Sequence, residues 1–228
     1  MEQLDPMANA MKILSVNVGL PRQVASNGKS VTTGIYKSPV HGQVRVTRPN
    51  VEGDGQADLS VHGGPNKAVY AYPSEHYAYW QRELPGIEMP WGMFGENLTL
   101  DGLVETDAHI GDRFRMGTAV LMVTQPRLPC YKLGIRFGRE DMPDRFLYSR
   151  RTGFYFAVVK EGELGEGDTF QPIHRDASRV SISDVLHLCY GDGHQNAQLI
   201  ERALNVEALS PGWRKRILKR VEESQTKG

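Results

Sequence analysis

Between Lys12 and Ile173 the chain runs as short apolar stretches separated by Gly, Pro, Asn and Asp. Lys12-Ile13-Leu14-Ser15-Val16-Asn17-Val18, Gln43-Val44-Arg45-Val46-Thr47, Val69-Tyr70-Ala71-Tyr72, Asn97-Leu98-Thr99-Leu100, Arg113-Phe114-Arg115-Met116 and Ala119-Val120-Leu121-Met122-Val123 are of strand length. Several alternate with period two, the pattern of a half-buried strand. Gly153 to Lys160 is apolar on both faces, which predicts a strand in the middle of a closed sheet. Two Gly-Asp turns, Gly111-Asp112 before Arg113-Phe114 and Gly167-Asp168 before Thr169-Phe170, introduce strands of the same form. Long helical crossovers are missing, so the spacing favours a β-barrel-like core over a doubly wound sheet. One helix is predicted over Ser74 to Glu83, where Tyr77, Trp80 and Leu84 fall at helical spacing.

After Ala177 the texture changes. Ser181-Ile182-Ser183-Asp184 forms a capping-box-like entry to an apolar helix that runs through Leu188 and stops near Gly191. Gln195 to Leu204 predicts a second helix, and Ser210-Pro211 starts a third, in which Trp213, Ile217 and Val221 share one face. The expected fold class is mostly β with α. Residues 1–11 read as an unstructured leader or a cloning remnant, residues 12–176 as the barrel-like domain and residues 177–228 as a three-helix appendage.

Composition narrows the function classes. The 228 residues carry 27 basic and 27 acidic side chains, a formal net charge of zero, and no dense basic block. That excludes the electrostatic footprint of a general binder of nucleic-acid polymers or anionic membranes. The basic face of the last helix reads as solvated. The longest apolar run, Ala119 to Val123, is far too short to span a bilayer. The 24 glycines and 13 prolines exceed the usual combined share of about 12%, consistent with many turns. Two cysteines, Cys130 and Cys189, form no disulfide framework or zinc site and suit a reducing, cytoplasmic setting. The expected partner is a small molecule.

Several motifs fail on their physics. Gly28-Lys29-Ser30 lacks the glycine a phosphate loop needs five residues earlier, where Gln23 stands, and runs on as strand-like Val31-Thr32-Thr33. Ser26-Asn27-Gly28-Lys29 has the spacing of a penicillin-binding nucleophile motif without its companions. Gly191-Asp192-Gly193 lacks the third glycine of a dinucleotide fingerprint. The seven histidines show no paired metal-ligand spacing.

Three segments remain. Gln125-Pro126-Arg127-Leu128-Pro129-Cys130-Tyr131-Lys132 follows the strongest strand, and its prolines stiffen the loop. Arg127 and Lys132 flank the thiol, and nearby cations favour the nucleophilic, metal-binding thiolate. A reactive or ligating Cys130 and a Cys130 buried as a small hydrophobe stand at even weight on these residues alone. Cys189, in an apolar helical run, reads as core. Second, Asp54-Gly55-Gln56-Ala57-Asp58 is followed by Val61-His62-Gly63-Gly64-Pro65-Asn66-Lys67-Ala68-Val69-Tyr70, whose paired glycines beside Asn66 and Lys67 can form a concavity suited to an anion, although a plain inter-strand loop has the same composition. Third, Arg150, Arg151 and Thr152 open the buried strand, where arginine forks either hold phosphate or carboxylate oxygens or form surface ion pairs.

At these residues the chain resembles the MOSC-domain family, in its YiiM-type branch. The resemblance rests on Thr33-Gly34-Ile35-Tyr36-Lys37-Ser38-Pro39-Val40, Gly53-Asp54-Gly55-Gln56-Ala57-Asp58, His62 to Tyr70, Tyr72-Pro73-Ser74-Glu75-His76-Tyr77, Phe94-Gly95-Glu96-Asn97-Leu98, the Gln125 to Cys130 loop and Arg151-Thr152-Gly153-Phe154-Tyr155, in that order. The tail from Ser178 resembles the three-helix extension of that branch.

The resemblance implies a MOSC β-barrel-like core that binds the molybdenum cofactor, a molybdopterin-type dithiolene, with Cys130 as metal ligand. It implies a reductase of N-hydroxylated bases such as 6-N-hydroxylaminopurine, a detoxification of mutagenic base analogues. Lys37 matches the lysine of the early family motif and is the expected charged active-site residue. Arg45 and Arg127 are both candidates for the active-site arginine, with Arg127 preferred for its place in the cysteine loop. His62, Gly63, Gly64, Asn66, Lys67, Lys132, Arg151 and Thr152 are the expected cofactor-binding residues. The metal does the redox work while the protein positions the base and supplies a proton. With no flavin or nicotinamide motif in the chain, the expected electron donor is an external reductase, and the resemblance makes a homodimer plausible. Two other readings compete. In one, a carrier uses Cys130 to hold a persulfide or the cofactor without turnover. In the weaker one, a base-binding module uses the basic last helix.

Overall fold

The computed structural model describes residues 10–57 and 63–225. The first strand, β1 (Lys12–Val18), buries Ile13 and Val16. A two-stranded hairpin follows, β2 (Arg22–Ser26) and β3 (Lys29–Thr33), reversed at Asn27-Gly28, where both residues adopt positive φ. That is the turn geometry an Asn-Gly pair supports without steric cost. Next come β4 (Ser38–Val40), β5 (Gln43–Val46) and β6 (Val69–Pro73), then α1 (Glu75–Glu83), which buries Tyr77 and Trp80. After β7 (Leu98–Asp101), β8 (Arg113–Met116) and β9 (Ala119–Pro126) form a hairpin. Two seven-residue helices, α2 (Tyr131–Phe137) and α3 (Met142–Tyr148), precede β10 (Phe154–Lys160), β11 (Gly162–Gly165) and β12 (Phe170–His174).

Eight strands pair in the order β12-β8-β9-β10-β6-β7-β1-β4, all antiparallel except β6 with β7. The sheet rolls until its ends approach each other. Ile13 N–H donates to Asp168 O (2.9 Å), Gly167 N–H to Ile13 O (2.8 Å) and Phe170 N–H to Met11 O (2.9 Å), which ties the start of β1 to the start of β12. The core is therefore barrel-like without an unbroken ladder around it. Strand β10, expected in the middle of the sheet, lies between β9 and β6 and buries Phe154, Phe156, Ala157 and Val158.

Three differences from the sequence-based expectation stand out. Met11, assigned to the leader, packs on the core and accepts the Phe170 bond; residues 1–9 lie outside the described residues. Helices α2 and α3 occupy a stretch where no helix was predicted. The C-terminal helices α4 (Ile182–Tyr190), α5 (Ala197–Asn205) and α6 (Pro211–Gln225) form where expected, with Ser181 and Asp184 making a reciprocal capping box. They are more than an appendage, however. Val185, Leu186, Leu188, Leu199, Trp213 and Ile217 join Phe114, Leu121 and Val123 in one continuous core. Cys189 is buried there, and burial pushes its thiol pKa up to about 12. A second, aromatic cluster fills the space between α1, α2 and α3 with Tyr72, Trp80, Phe94, Phe137 and Phe146. Among the described residues no helix is long and apolar enough to cross a membrane.

A shared core predicts shared stability. Trp213 is 4% exposed, so Trp213→Ala should cost about 3–5 kcal/mol and shift one concerted unfolding transition, measured by urea denaturation with far-UV CD. A separate early transition, leaving the sheet's own midpoint unchanged, would show the helices to be an independent unit.

Candidate functional site

The polypeptide leaves β9 at Pro126 and runs extended through Pro129 to Cys130, which caps α2 with φ −128° and ψ 170°. Arg127 N–H donates to Gly153 O (3.3 Å), so the loop follows the start of β10. The Arg127 guanidinium turns inward, 6% exposed, with its carbon 4.9 Å from the Tyr70 ring centre and 5.1 Å from that of Phe146. Its Nη1 is buried with no hydrogen-bond partner among the described residues. Burial works against this charge, but the surrounding Tyr70, Tyr155, Cys130 and Tyr72 outweigh it, and the Arg127 pKa is raised. Cys130 is half-buried at the rim of the same space.

The opposite wall comes from the link between β3 and β4 and from the 53–57 loop. These backbones touch: a Cβ on Gly34 would stand 2.4 Å from Gly55 O, so any larger residue at 34 would force the wall apart. Lys37 projects between them, 8% exposed, and forms an ion pair with Asp54, whose side chain is 1% exposed. Asp54 also accepts Gly19 N–H (3.0 Å) and Asn97 Nδ2 (2.9 Å), so its carboxylate is fixed from three sides. Burial pulls the Lys37 pKa down, and the Asp54 carboxylate opposes that fall.

A third wall begins at Gly63 and Gly64, with φ of 110° and 87°. They admit a single 3₁₀ turn over Pro65–Lys67, stabilised by Lys67 N–H to Gly64 O (2.9 Å). Burial lowers the Lys67 pKa. Together these segments enclose a cleft, open to solvent, with Tyr70 and Tyr155, ring centres 5.2 Å apart, among its lining residues.

Of the residues singled out in the sequence, Cys130, Lys37, Arg127, Gly63, Lys67 and Lys132 line this cleft. Gly64 and Asn66 belong to the same turn but do not line it; the Asn66 carbonyl accepts the Thr124 hydroxyl (2.7 Å). Arg45 does not reach it. It sits exposed on β5, which pairs with β11 in a separate two-stranded sheet. Arg151 also turns away, lying 4.0 Å from the Tyr79 ring centre and donating to Ser149 O (3.1 Å). Thr152 is fully buried behind the cleft, where its carbonyl accepts the Tyr70 hydroxyl (2.8 Å) and holds that ring. His62 and Asp58 lie outside the described residues.

Sequence reasoning placed Asp54 in a candidate cluster without giving it a role, and it gave none to Asn97 or Tyr155. Each stands in a quoted motif, but nothing local shows that Asp54 and Asn97 meet across 43 positions. Glu96 is the other residue passed over. Wholly buried, it accepts the Tyr77 hydroxyl, Gly92 N–H (2.8 Å), Phe94 N–H (3.1 Å) and the Thr99 hydroxyl (3.0 Å). Burial still raises its pKa, against those hydrogen bonds.

Comparison with known proteins adds an independent line. Residues 58–171 match the MOSC domain, and residues 180–223 match the YiiM-like 3-alpha helix domain. The chain is 42% identical to the uncharacterized protein YflK of Bacillus subtilis, across 92% of this chain and 94% of that one. A protein of Gibberella moniliformis named "Reductase" is 34% identical over 76% of this chain, which spans 31% of that longer protein. The crystal structure of YiiM from Geobacillus stearothermophilus superposes with a TM-score of 0.77 at 36% identity, covering 92% of this chain and 99% of that one. The rolled sheet with its cysteine-bearing cleft, followed by three helices on the same core, thus places the chain in the MOSC-domain family, in its YiiM-like branch.

Proposed function

We propose that the protein is a molybdenum-cofactor-dependent reductase that converts N-hydroxylated bases, such as 6-N-hydroxylaminopurine, to their amines. The observation that carries this reading is the convergence of the Cys130 thiol with Lys67, Lys132 and Arg127 in one cleft that also presents two tyrosine rings. The cofactor is a phosphate-bearing pterin dithiolene. The residues present fit it: a thiol is a soft donor suited to a metal already held by sulfur, and the buried Nη1 of Arg127, without a hydrogen-bond partner among the described residues, asks for an acceptor. Membership of the MOSC family and the likeness to a protein named a reductase support the same reading.

On this reading Cys130 Sγ would ligate the metal, and Lys67, Lys132 and Arg127 would hold the cofactor's negative groups. The cofactor, when bound, supplies the two electrons of the reaction. Cleavage of the N–O bond also takes two protons and yields amine and water. Lys37 serves this step, since its ammonium can hydrogen-bond the departing oxygen and give up a proton from Nζ. Asp54 holds that ammonium in place and favours its charged form. Tyr70 and Tyr155 offer apolar faces against which a planar base can lie. Electrons reach the cleft from a separate reductase, because the chain has no flavin or nicotinamide motif of its own.

Protein purified from a cofactor-competent host should contain molybdenum and reduce 6-N-hydroxylaminopurine with a chemical reductant, whereas protein from a cofactor-deficient host should do neither. Cys130→Ala should lose the metal, by elemental analysis, and at least a hundredfold in rate. Full metal and full activity in that variant would remove Cys130 from the site; metal without any turnover in the parent protein would favour the carrier reading.

The pH profile tests Lys37. Its pKa lies below the ordinary 10.5 because of burial, and Asp54 counters part of that effect. The rate should therefore fall on the alkaline side as the ammonium is lost, and Asp54→Asn should move that fall toward lower pH. An identical alkaline limb in the two proteins would contradict a charged Lys37 in the reaction.

A further inference from the structure

Beside the cleft stand cations and apolar side chains that neither the cofactor nor the base would use. Arg22, exposed at the start of β2, has its guanidinium carbon 3.9 Å from the Tyr36 ring centre, and that of Arg136 on α2 lies 4.7 Å from the same point. Tyr36 stands between Ile35 and Lys37, both of which line the cleft. A ring therefore gathers two guanidiniums beside one cleft wall, where a carboxylate would ordinarily do so. The Nε of Arg136 is buried with no hydrogen-bond partner among the described residues. Lys132, a cleft-lining residue, precedes Arg136 by one turn of α2 and carries the positive potential on into the opening.

Arg22, Lys132 and Arg136 enter no ion pair among the described residues. Carboxylates of the adjoining loops are engaged elsewhere: Asp54 with Lys37, Glu140 with Asn27 Nδ2 (3.0 Å) and Asp141 with Arg139 (2.8 Å). Apolar surface accompanies the cations. Leu20 and Tyr131 are 69% and 62% exposed, unusual for side chains of their size. Tyr131 directly follows Cys130. A Cβ on the cleft-lining Gly55 would stand 2.6 Å from Pro21 Cδ and 3.5 Å from Leu20 Cδ2, so Leu20 lies against the loop that walls the cleft.

Arginine and tyrosine with apolar neighbours are the residue types enriched at the centre of protein–protein contacts. Redox encounters use small interfaces, and opposite charge steers the partners together. On a chain of zero net charge, a local excess of unpaired cations selects an acidic partner. We infer that Leu20, Arg22, Tyr131 and Arg136 form the docking surface for the electron donor, and that the donor is a redox protein with acidic side chains around its own redox group. This inference rests on the reductase reading, in which each N–O bond cleaved takes two electrons; the donor is oxidised by those two electrons. Arg22 and Arg136 meet the donor's carboxylates, and Leu20 and Tyr131 exclude water from the contact. A donor seated there faces the opening that leads to Cys130.

Isothermal titration of the full chain with flavodoxin, a small acidic flavoprotein, and with cytochrome c, a basic redox protein, tests the assignment. Flavodoxin should bind at low salt, at least tenfold more weakly once the salt is raised to screen the charges, and cytochrome c should not bind. Arg22→Glu/Arg136→Glu should weaken flavodoxin binding at least tenfold. Arg113→Glu/Arg115→Glu makes the same change in net charge on the exposed face of β8 and should leave binding within twofold. Arg22→Glu alone, at an exposed position, serves if the double variant melts early, and should still weaken binding several-fold. In turnover, the Arg22 and Arg136 variants should raise KM for reduced flavodoxin while the rate with dithionite stays unchanged. No flavodoxin binding at low salt, equal losses in the β8 variant, or tighter binding of cytochrome c would overturn the inference. The titrations need neither molybdenum nor turnover, so their failure is distinct from failure of the reductase reading.

Discussion

Two adjacent polar residues, Glu96 and Asn97, are buried just before β7, and the need to satisfy them organises what surrounds the cleft. A buried polar group without partners costs more than a satisfied one contributes, so such groups dictate their neighbours. Asn97 meets the demand with side chain and backbone together. Its Oδ1 accepts Tyr70 N–H (3.1 Å) and its N–H donates to Tyr70 O (2.7 Å), while its carbonyl accepts Asn17 N–H (2.7 Å). Its Nδ2 is shared between Asn17 O (3.3 Å) and Asp54 (2.9 Å). One residue thereby ties β6, β1 and the 53–57 loop into fixed relation. Asp54 in turn holds Lys37, so the position of the cleft's most buried lysine follows from the hydrogen bonds that fix Asn97 and Asp54 beside it.

Glu96 does the equivalent work for the aromatic cluster. Its four donors come from α1, from the 92–94 turn and from β7. Closing that turn brings Phe94 against Tyr72 at 4.3 Å between ring centres, and Tyr72 accepts Trp80 Nε1 (2.7 Å). Phe146 stacks on the same group and also faces Arg127. The rigidity of the cysteine loop therefore has two sources: its prolines, and an aromatic floor anchored by a carboxyl group.

How much of this could be read from the chain depends on the range of the interactions. Strands such as β1 and β8 were legible because one face is buried and the alternation is local. The C-terminal helices were legible through Ser181, Asn196 and Ser210-Pro211, residues that act within three positions of themselves. Helices α2 and α3 were not. Each has seven residues, neither has a side-chain cap, and α2 carries Gly134 in its middle. They form because Leu133, Phe137, Met142 and Phe146 have an aromatic cluster to pack on, a tertiary cause that overrides weak local propensity. The continuity of the helices with the sheet was hidden for the same reason: the apolar face of α4 was visible, its partner was not.

Arg45, Arg127, Arg150 and Arg151 show the same limit within one residue type. All four lie next to strands, and composition treats them alike. A neutral total also conceals their different fates. Arg45 sits on a peripheral two-stranded pair and stays in water, while Arg151 is taken up by a tyrosine ring and a carbonyl. Among the described residues, Arg127 and Arg150 are the two whose Nη1 is buried without a hydrogen-bond partner. Both flank the same short segment, since Arg127 N–H binds Gly153 O and Arg150 precedes it by three residues. Gly153 N–H is itself held by Glu105 (2.7 Å), which also binds His76 at 2.6 Å. The segment from Arg150 to Gly153 thus runs from a guanidinium turned to the end of α4 to one that faces the Cys130 cleft, with the Glu105 carboxylate fixing its Gly153 end.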